Sequence, residues 1–265
     1  MAFDLNSIRT TGSAALPPRL VIHGPHGVGK STFASQAPNP IFVPTEDGLD
    51  AIPVSAFPLC KVYAEVLDAL RSLASGDHDY QTVVLDSADW LESLIWAHTA
   101  KVNGHETIED FGYGKGYVLA LEHWRKILSA LDYLRTERRM GSIIICHTEI
   151  KRFDSPESDP YDRYQLKLNA RASGVVQEWA DIVGFANHRV VVKETDAGFN
   201  KKTRRGVSTG QRMLHLTERA AFQAKSRYEL PESIMLSWSD YAKELTAAIN
   251  SVRGTNQPTQ ETTES

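Results

Sequence analysis

The chain is poor in cysteine, with only Cys60 and Cys146 among its 265 residues. Two cysteines so far apart in the sequence can form neither a disulfide framework nor a cysteine-based zinc site. The composition therefore excludes the small disulfide-rich secreted proteins. It is typical of a reducing compartment, and we expect the protein in the cytoplasm.

Three further absences narrow the class of protein. The sequence contains no run of about 18 apolar residues, the length that a membrane-spanning helix needs. Its first residues lack a basic start followed by an apolar stretch, so we expect neither export nor membrane insertion. There is also no basic excess, because the net charge is −4. Any binding of nucleic acid would therefore depend on local basic patches rather than on overall charge.

Short apolar runs are present instead. They predict strands at RLVIHG (19–24), IFVPT (41–45), TVVLD (82–86) and SIIICHT (142–148), with apolar residues at helical spacing between them. This alternation indicates an α/β fold with a mostly parallel central sheet flanked by helices. The later segments DIVGFANHRVVVKE and QRMLHLTE are predicted antiparallel strands, joined by a long hairpin or flexible connection at 196–210.

The two ends of the chain differ in composition from its middle. Residues 1–18 form a polar leader that ends in two prolines, and residues 251–265 are polar with too little apolar content to fold. With 42% hydrophobic residues overall, the chain has enough apolar material for a packed core. We therefore expect a flexible leader at 1–18, one domain at 19–250 and a disordered tail at 251–265.

The strongest motif lies directly after the first predicted strand. Residues 24–31, GPHGVGKS, match GxxxxGK[ST] between a strand and a helix, a context that disfavours a chance glycine-rich turn. Glycines let backbone N–H groups wrap a phosphate, while the lysine reaches the β- and γ-phosphates and the serine ligates magnesium. The motif therefore predicts ATP and Mg²⁺ as ligands. The predicted nucleotide-contacting residues are Gly24, Pro25, His26, Gly27, Val28, Gly29, Lys30, Ser31 and Thr32.

Two carboxylates at the ends of predicted strands complete the expected site. Asp86 ends TVVLD, where a carboxylate can hold Mg²⁺ through water. Capping of the helix that begins near Ala88 is an alternative role, and the two are compatible. Glu46 follows IFVPT and is the candidate for orienting or deprotonating water in hydrolysis. From position alone, a solvated loop carboxylate is an equal alternative for Glu46.

In their order along the chain, GPHGVGKST, FVPTEDGLD, TVVLDS and IIICHTE resemble the RecA-like ATPase core of the P-loop superfamily. The resemblance implies a RecA-like fold with antiparallel strands added in the C-terminal part. In that family a catalytic glutamate follows the second strand, which implies this role for Glu46. A polar residue at the end of the fourth strand senses the γ-phosphate, which implies this role for His147.

More narrowly, IEDFGYGKGY (108–117) and QAKSRYELPES (223–233) resemble the Sak recombinase group of phage nucleotide-binding proteins. The likeness covers roughly residues 19–235. It implies a Mg²⁺-dependent and DNA-dependent ATPase that binds single-stranded DNA and promotes annealing or strand exchange. It also implies assembly into rings or filaments, action alongside a single-strand-binding protein, and a place in the host cytoplasm.

Lys225 and Arg227 resemble the K-x-R finger of hexameric RecA-like ATPases, in which both cations touch the γ-phosphate held by a neighbouring subunit. An arginine supplied in this way can raise the rate about 10³- to 10⁵-fold by neutralising charge in the transition state. A pair of exposed surface cations is the alternative. The finger role predicts that an isolated monomer is nearly inactive.

Two segments are candidates for binding single-stranded DNA. The segment 151–171 begins with Lys151 and Arg152 and interleaves further cations, including Arg163, with aromatic residues. Four acids dilute its charge, so a solvated loop is an equal alternative. The segment FNKKTRRGVSTGQR carries no acid, and its alternative is an ordinary mobile hairpin tip. Its cations are Lys201, Lys202, Arg204, Arg205 and Arg212.

Two other functions stay open at this point. A helicase-like or helicase-loading P-loop ATPase would carry the same motifs, and unwinding of a forked duplex would distinguish it from an annealing protein. A small-molecule kinase needs only the phosphate loop. Against the kinase, no arginine-rich lid segment is evident, and the late antiparallel strands fit a RecA-like core better.

Overall fold

The computed structural model describes Asp4 and residues 16–157, 159–196 and 202–255. For residues 190–208 and 253–255 it describes the backbone where these ranges fall within that part of the chain, and not the side chains. The strands are β1 (Arg19–Gly24), β2 (Pro40–Pro44), β3 (Ser55–Ala56), β4 (Thr82–Asp86), β5 (Gly141–Phe153), β6 (Tyr161–Leu166), β7 (Ile182–Asp196), β8 (Lys202–His215), β9 (Lys225–Ser226) and β10 (Ser233–Met235). The helices are α1 (Lys30–Ser35), α2 (Tyr63–Ser75), α3 (Ala88–Val102), α4 (Lys115–Glu137), α5 (Ala170–Trp179) and α6 (Trp238–Thr255), with a 3₁₀ helix at Ile108–Phe111.

One sheet joins the strands of the described residues in the order β10-β8-β7-β1-β5-β4-β2-β3. The strands from β7 to β3 in this order are parallel. Antiparallel strands β8 and β10 extend the sheet on one side, and β6 and β9 pair antiparallel with β5 and β7. The expected α/β class, with a mostly parallel sheet flanked by helices and antiparallel strands in the C-terminal part, is confirmed.

Alternate residues of the central strands face two separate hydrophobic clusters. One cluster packs Val21, Val83 and Ile144 against α2, α3, α4 and α5. The other packs Leu20 and Ile22 against α1 and α6. Because both faces are covered, the strands read in sequence as unbroken apolar runs, as expected for a parallel sheet between helices.

The parallel register brings four strand ends to one edge of the sheet. Gly24 pairs with His147 across β1 and β5, and Asp86 pairs with Ile145 on β5 and with Pro44 on β2. Ligands of open α/β sheets bind at this carboxyl edge. A ligand-binding site is therefore expected among the residues at the carboxyl ends of β1, β2, β4 and β5.

Two pairs of strands continue beyond the sheet at the same edge. β5 runs to Phe153 and forms a hairpin with β6. β7 pairs with β1 only as far as Phe185 but continues to Asp196 alongside β8. Of the two alternatives expected at 196–210, the hairpin is the one that the described residues show, because residues from Lys202 onward pair with β7.

Parts of both ends of the chain are described. Helix α6 continues to Thr255, five residues beyond the expected end at 250, and the rest of the expected tail lies outside the described residues. Of the expected leader, only Asp4 and residues 16–18 are described, and the Pro17 carbonyl accepts a hydrogen bond from Arg135 Nε at 2.6 Å. Among the helices that the structure describes, none combines the length and the apolar character needed to cross a membrane.

Candidate functional site

The loop between β1 and α1 adopts a backbone conformation that requires glycine at two positions. Gly27 and Gly29 have φ values of 71° and 102°, in the left-handed region that other residues rarely adopt. Gly24 is required for a different reason. A Cβ at this position would overlap the carbonyl oxygen of Ala186 on β7. The loop conformation and the close approach of β1 to β7 therefore both depend on glycine.

This loop borders a cavity of about 320 Å³ at the carboxyl edge of the sheet. The cavity brings together five residues that the sequence assigned to binding or catalysis from separate segments: Lys30, Ser31, Glu46, Asp86 and His147. His26, Gly27, Gly29 and Thr32 also line it. Gly24, Pro25 and Val28 belong to the loop without lining the cavity.

Lys30 is buried beneath the loop. Its ammonium group donates hydrogen bonds to the carbonyl oxygens of Gly24 at 2.9 Å and Pro25 at 3.0 Å. Burial lowers the pKa of Lys30, and the nearby carboxylate of Asp86 partly opposes this effect. A buried ammonium is stabilised by anionic partners, so the position favours the binding of a phosphate.

Ser31 and Asp86 place two oxygen ligands side by side. The Ser31 hydroxyl donates to Asp86 Oδ2 at 2.6 Å. Burial raises the pKa of Asp86, while the hydrogen bond from Ser31 acts in the opposite direction. A hydroxyl and a carboxylate are ligands that Mg²⁺ accepts in proteins, with water and phosphate completing its coordination. The pair therefore fits a magnesium ion in chemical type.

The end of β2 is fastened to the end of β4. The backbone N–H groups of Thr45 and Glu46 donate to the Asp86 carbonyl oxygen at 2.7 and 3.3 Å, and the Thr45 hydroxyl donates to Ser87 O at 2.7 Å. The Glu46 carboxylate accepts a hydrogen bond from the Ser87 hydroxyl at 3.1 Å. These contacts hold Glu46 at the cavity, with 28% of its side chain exposed.

His147 is held from two sides. Its backbone N–H and its ring Nδ1 contact Asp89 at 3.1 and 3.0 Å, and its ring stacks on His26 with centroids 3.9 Å apart. Burial alone would raise the pKa of Asp89, but the hydrogen bonds from His147 outweigh it and lower the pKa to about 2. An ionised carboxylate only accepts hydrogen bonds, so His147 Nδ1 must carry a hydrogen. His147 Nδ1 also lies 3.7 Å from Glu46 Oε2.

Sequence reasoning missed two residues at this site. Asp89 lies in the first turn of α3, where a carboxylate reads as an ordinary helix-start residue. Arg212, on β8, lines the cavity, with Nη1 3.4 Å from the Val28 carbonyl oxygen. The sequence grouped Arg212 with cations of a DNA-binding segment, and in the structure β8 also carries Arg212 back to the phosphate loop.

Lys225 and Arg227 lie at the other edge of the sheet. Lys225 belongs to β9 and Arg227 follows it, and β9 pairs with the first residues of β7. The Lys225 ammonium donates to the carbonyl oxygens of Gln177 and Ala180 at 2.6 and 2.8 Å, and Arg227 forms an ion pair with Asp181 at 2.9 Å. Both cations are therefore remote from the phosphate loop of their own chain, and the finger role stays a prediction about a neighbouring subunit.

The first candidate DNA segment separates into exposed and packed residues. Lys151 and Arg152 lie on the β5–β6 hairpin, beside Glu149 and Asp154 at 2.6 and 3.5 Å. Arg163 is buried, where it contacts Glu218 and donates to Phe222 O. The expectation that Arg163 belongs to an exposed DNA-binding patch is therefore corrected, because its guanidinium is packed inside the protein.

The second candidate segment lies on β8. Lys202, Arg204 and Arg205 pair through their backbones with residues 193–196 of β7, and Lys201 lies outside the described residues. We call Lys201, Lys202, Arg204 and Arg205 the hairpin cations.

A second cavity of about 550 Å³ adjoins the first and shares His26 and Glu46 with it. Aromatic side chains line this cavity, among them Trp90, which is 50% exposed. Lys167 also lines it, with its ammonium 3.8 Å from Asp89 Oδ2. The remaining aromatic and lysine residues of the lining are Trp96, Tyr117 and Lys151.

One comparison with known protein families matches most of the chain. A family model described as an AAA domain matches residues 16–228, from just before β1 to just after β9. No curated protein matches the chain. Among solved structures, the chain is similar to one described as a crystal structure of the RadB recombinase, with a TM-score of 0.41 and 14% identity over 76% of this chain and 81% of that chain.

Proposed function

This chain belongs to the AAA domain family of P-loop nucleotide-binding ATPases, and from that premise we propose that it binds ATP with Mg²⁺ and hydrolyses it in the cavity beside the phosphate loop. One observation carries the proposal. Lys30, Ser31, Asp86 and Glu46 come from three separate segments and line one cavity. These are the residue types that phosphoryl transfer to water needs.

The phosphate loop and Lys30 bind the polyphosphate. The ammonium group already lies under the loop, bonded to two carbonyl oxygens, and it exchanges these neutral partners for phosphate oxygens. Charge-assisted hydrogen bonds are about twice as strong as neutral ones, so the exchange favours the bound state. Replacing Lys30 therefore removes nucleotide binding as well as hydrolysis.

Ser31 and Asp86 are the residues that would hold the metal ion. When bound, Mg²⁺ neutralises charge on the β- and γ-phosphates. Because the Ser31 hydroxyl donates to Asp86 in this structure, the two oxygens are already within reach of one ion. Burial raises the pKa of Asp86, and a nearby divalent cation opposes that effect by favouring the ionised carboxylate.

Glu46 orients the attacking water and accepts its proton. The Ser87 hydroxyl and the fastening of β2 to β4 hold the carboxylate at the cavity. His147 lies beside Glu46 and, fixed by Asp89 and His26, contacts the γ-phosphate. General-base catalysis of this kind contributes roughly 10²- to 10⁴-fold in rate.

We further propose that ATP turnover is coupled to single-stranded DNA, and that the protein promotes annealing or strand exchange as members of the phage Sak group do. The hairpin cations support phosphate binding, since no acid interrupts their segment. The second cavity supports base stacking, because Trp90, Trp96 and Tyr117 line it together with Lys151 and Lys167. A single-strand-binding protein is the partner that this activity implies.

Assembly into a ring or filament is the remaining part of the proposal. It is supported by the position of Lys225 and Arg227 beside the first residues of β7, at the end of the sheet opposite the phosphate loop, from which a finger role would require a neighbour's nucleotide. In such an assembly one subunit supplies the loop and the next supplies the two cations.

The test is steady-state ATP hydrolysis with Mg²⁺, with and without single-stranded DNA, and with Lys30→Ala as the blank. We expect hydrolysis above the blank and stimulation by DNA. Equal rates for the wild type and the blank would refute ATP hydrolysis at this site. Turnover that DNA does not change would refute the coupling while leaving the ATPase intact.

A further inference from the structure

Strand β8 brings one cation back to the phosphate loop. Arg212 lies at the base of the β7–β8 hairpin, where it pairs with His188 on β7. On its other side, the Arg212 carbonyl oxygen accepts a hydrogen bond from Leu236 N at 2.9 Å. The backbone of Arg212 is therefore held from both sides, and the sheet determines where its side chain starts.

The guanidinium group lies directly over the loop. A Cβ built on Gly29 would be 2.5 Å from Arg212 Nη1 and 3.4 Å from Cζ. Because Gly29 has no side chain, the guanidinium contacts the loop backbone and lines the same cavity as Lys30 and Ser31. A phosphate enclosed by the loop would consequently lie within reach of this side chain.

The contact with the loop involves one nitrogen of the Arg212 guanidinium, Nη1. Among the described residues its hydrogen-bond partner is the Val28 carbonyl at 3.4 Å, which is longer than the usual 2.7–3.2 Å for N–H···O. A guanidinium has five N–H donors and remains charged. Arg219, a few residues farther along the chain, shows the contrast, since it bonds to the Glu232 carboxylate at 2.6 Å. No such carboxylate lies within ion-pair distance of Arg212 in the part of the chain that the structure describes.

We propose that Arg212 binds the polyphosphate of the nucleotide, as a cation supplied by the same subunit from β8. This assignment rests on the proposed function, because it places a second cation beside the phosphates that Lys30 binds. The planar guanidinium suits phosphate oxygens and forms charge-assisted hydrogen bonds with them. Through this contact the bound nucleotide also holds the base of the hairpin that carries the hairpin cations.

The experiment measures displacement of a fluorescent N-methylanthraniloyl-ATP from the full-length protein by ATP, ADP and adenosine, with Mg²⁺ present. The variants are Arg212→Ala, Arg212→Lys and the blank Lys30→Ala. Arg189→Ala is the matched control, since it removes an exposed arginine from the same hairpin that bonds to Gln211 rather than to the loop. Thermal unfolding of each variant checks that the fold is retained.

We expect Arg212→Ala to weaken ATP and ADP binding roughly tenfold to a hundredfold, the range for a hydrogen bond to a charged group. Arg212→Lys should retain part of the affinity, and Arg189→Ala all of it. Adenosine has no phosphate, so its affinity should not change. An equal loss for adenosine would overturn the phosphate assignment, and wild-type affinity in Arg212→Ala would overturn the contact itself. If the wild type binds no better than Lys30→Ala, the proposed function fails and this inference fails with it.

Discussion

Replacing Asp89 by asparagine should destabilise the protein in a way that depends on pH. The carboxylate accepts hydrogen bonds from the backbone N–H and the Nδ1 of His147 at 3.1 and 3.0 Å, and only 6% of its side chain is exposed. These bonds lower its pKa to about 2. Against an ordinary value of about 3.9, this difference corresponds to roughly 2–3 kcal/mol of folding free energy at neutral pH.

The direction of the pH dependence follows from the lowered pKa of Asp89. A carboxylate whose pKa is lower in the folded than in the unfolded state stabilises the protein fully above the unfolded value, near pH 4. That contribution declines as the pH falls towards 2, where the folded carboxylate itself takes up a proton. Asparagine keeps an acceptor for the His147 N–H group but carries no charge at any pH. The difference between Asp89→Asn and wild type should therefore be large at pH 7 and small near pH 2.

Urea unfolding at a series of pH values measures this difference. Asp68→Asn is the matched control, because the Asp68 side chain is 65% exposed and pairs with the exposed Arg71. An exposed pair of this kind contributes about 0 to 1 kcal/mol. A loss of stability in Asp89→Asn that stays constant from pH 7 to pH 2, or a loss no larger than that of the control, would refute the reasoning.

Three further predictions concern the loop, the hairpin and assembly. Gly24→Ala should lower the free energy of unfolding by about 1–3 kcal/mol, since its Cβ would overlap Ala186 O on the neighbouring strand β7. Gly174→Ala, in open space on α5, should raise it by about 0.5–1 kcal/mol, and equal effects of the two in urea would contradict this prediction. Neutralising all the hairpin cations together should weaken single-stranded DNA binding and flatten its dependence on salt, and fluorescence anisotropy that shows unchanged affinity and slope would reject the assignment. Arg227→Ala should abolish most ATP hydrolysis while leaving ATP binding intact, and wild-type activity per subunit that stays constant on dilution to monomers would rule out a finger supplied by a neighbour.

The sequence allowed the core of the fold to be predicted because its strands are buried on both faces. β1, β2, β4 and β5 read as apolar runs, and the glycine-rich motif after β1 fixed the order of the first elements. The strands β3, β9 and β10 contain two or three residues each, too few for any periodicity to show. Their pairing depends on neighbours that are distant in the sequence.

The site could be predicted only as far as local motifs extend. Lys30 and Ser31 lie inside one motif, Asp86 ends a predicted strand and Glu46 follows another. A parallel sheet brings these strand ends, and therefore these four residues, to one edge. Arg212 lies far along the chain from the loop and reaches it only because β8 doubles back along β7. Arg163, which by composition looked like a surface cation, is buried by contacts with Glu218 and Phe222, which are also distant in the sequence.

The central claim is that Glu46 activates water for the hydrolysis of ATP bound at the phosphate loop. The most direct test is single-turnover hydrolysis of ATP with Mg²⁺, with ATP affinity measured on the same samples, for wild type and Glu46→Gln. The substitution keeps the size of the side chain and an acceptor for the Ser87 hydroxyl but removes the base. The account predicts unchanged ATP affinity and hydrolysis slowed by roughly a hundredfold or more. Hydrolysis by Glu46→Gln at the wild-type rate would contradict it.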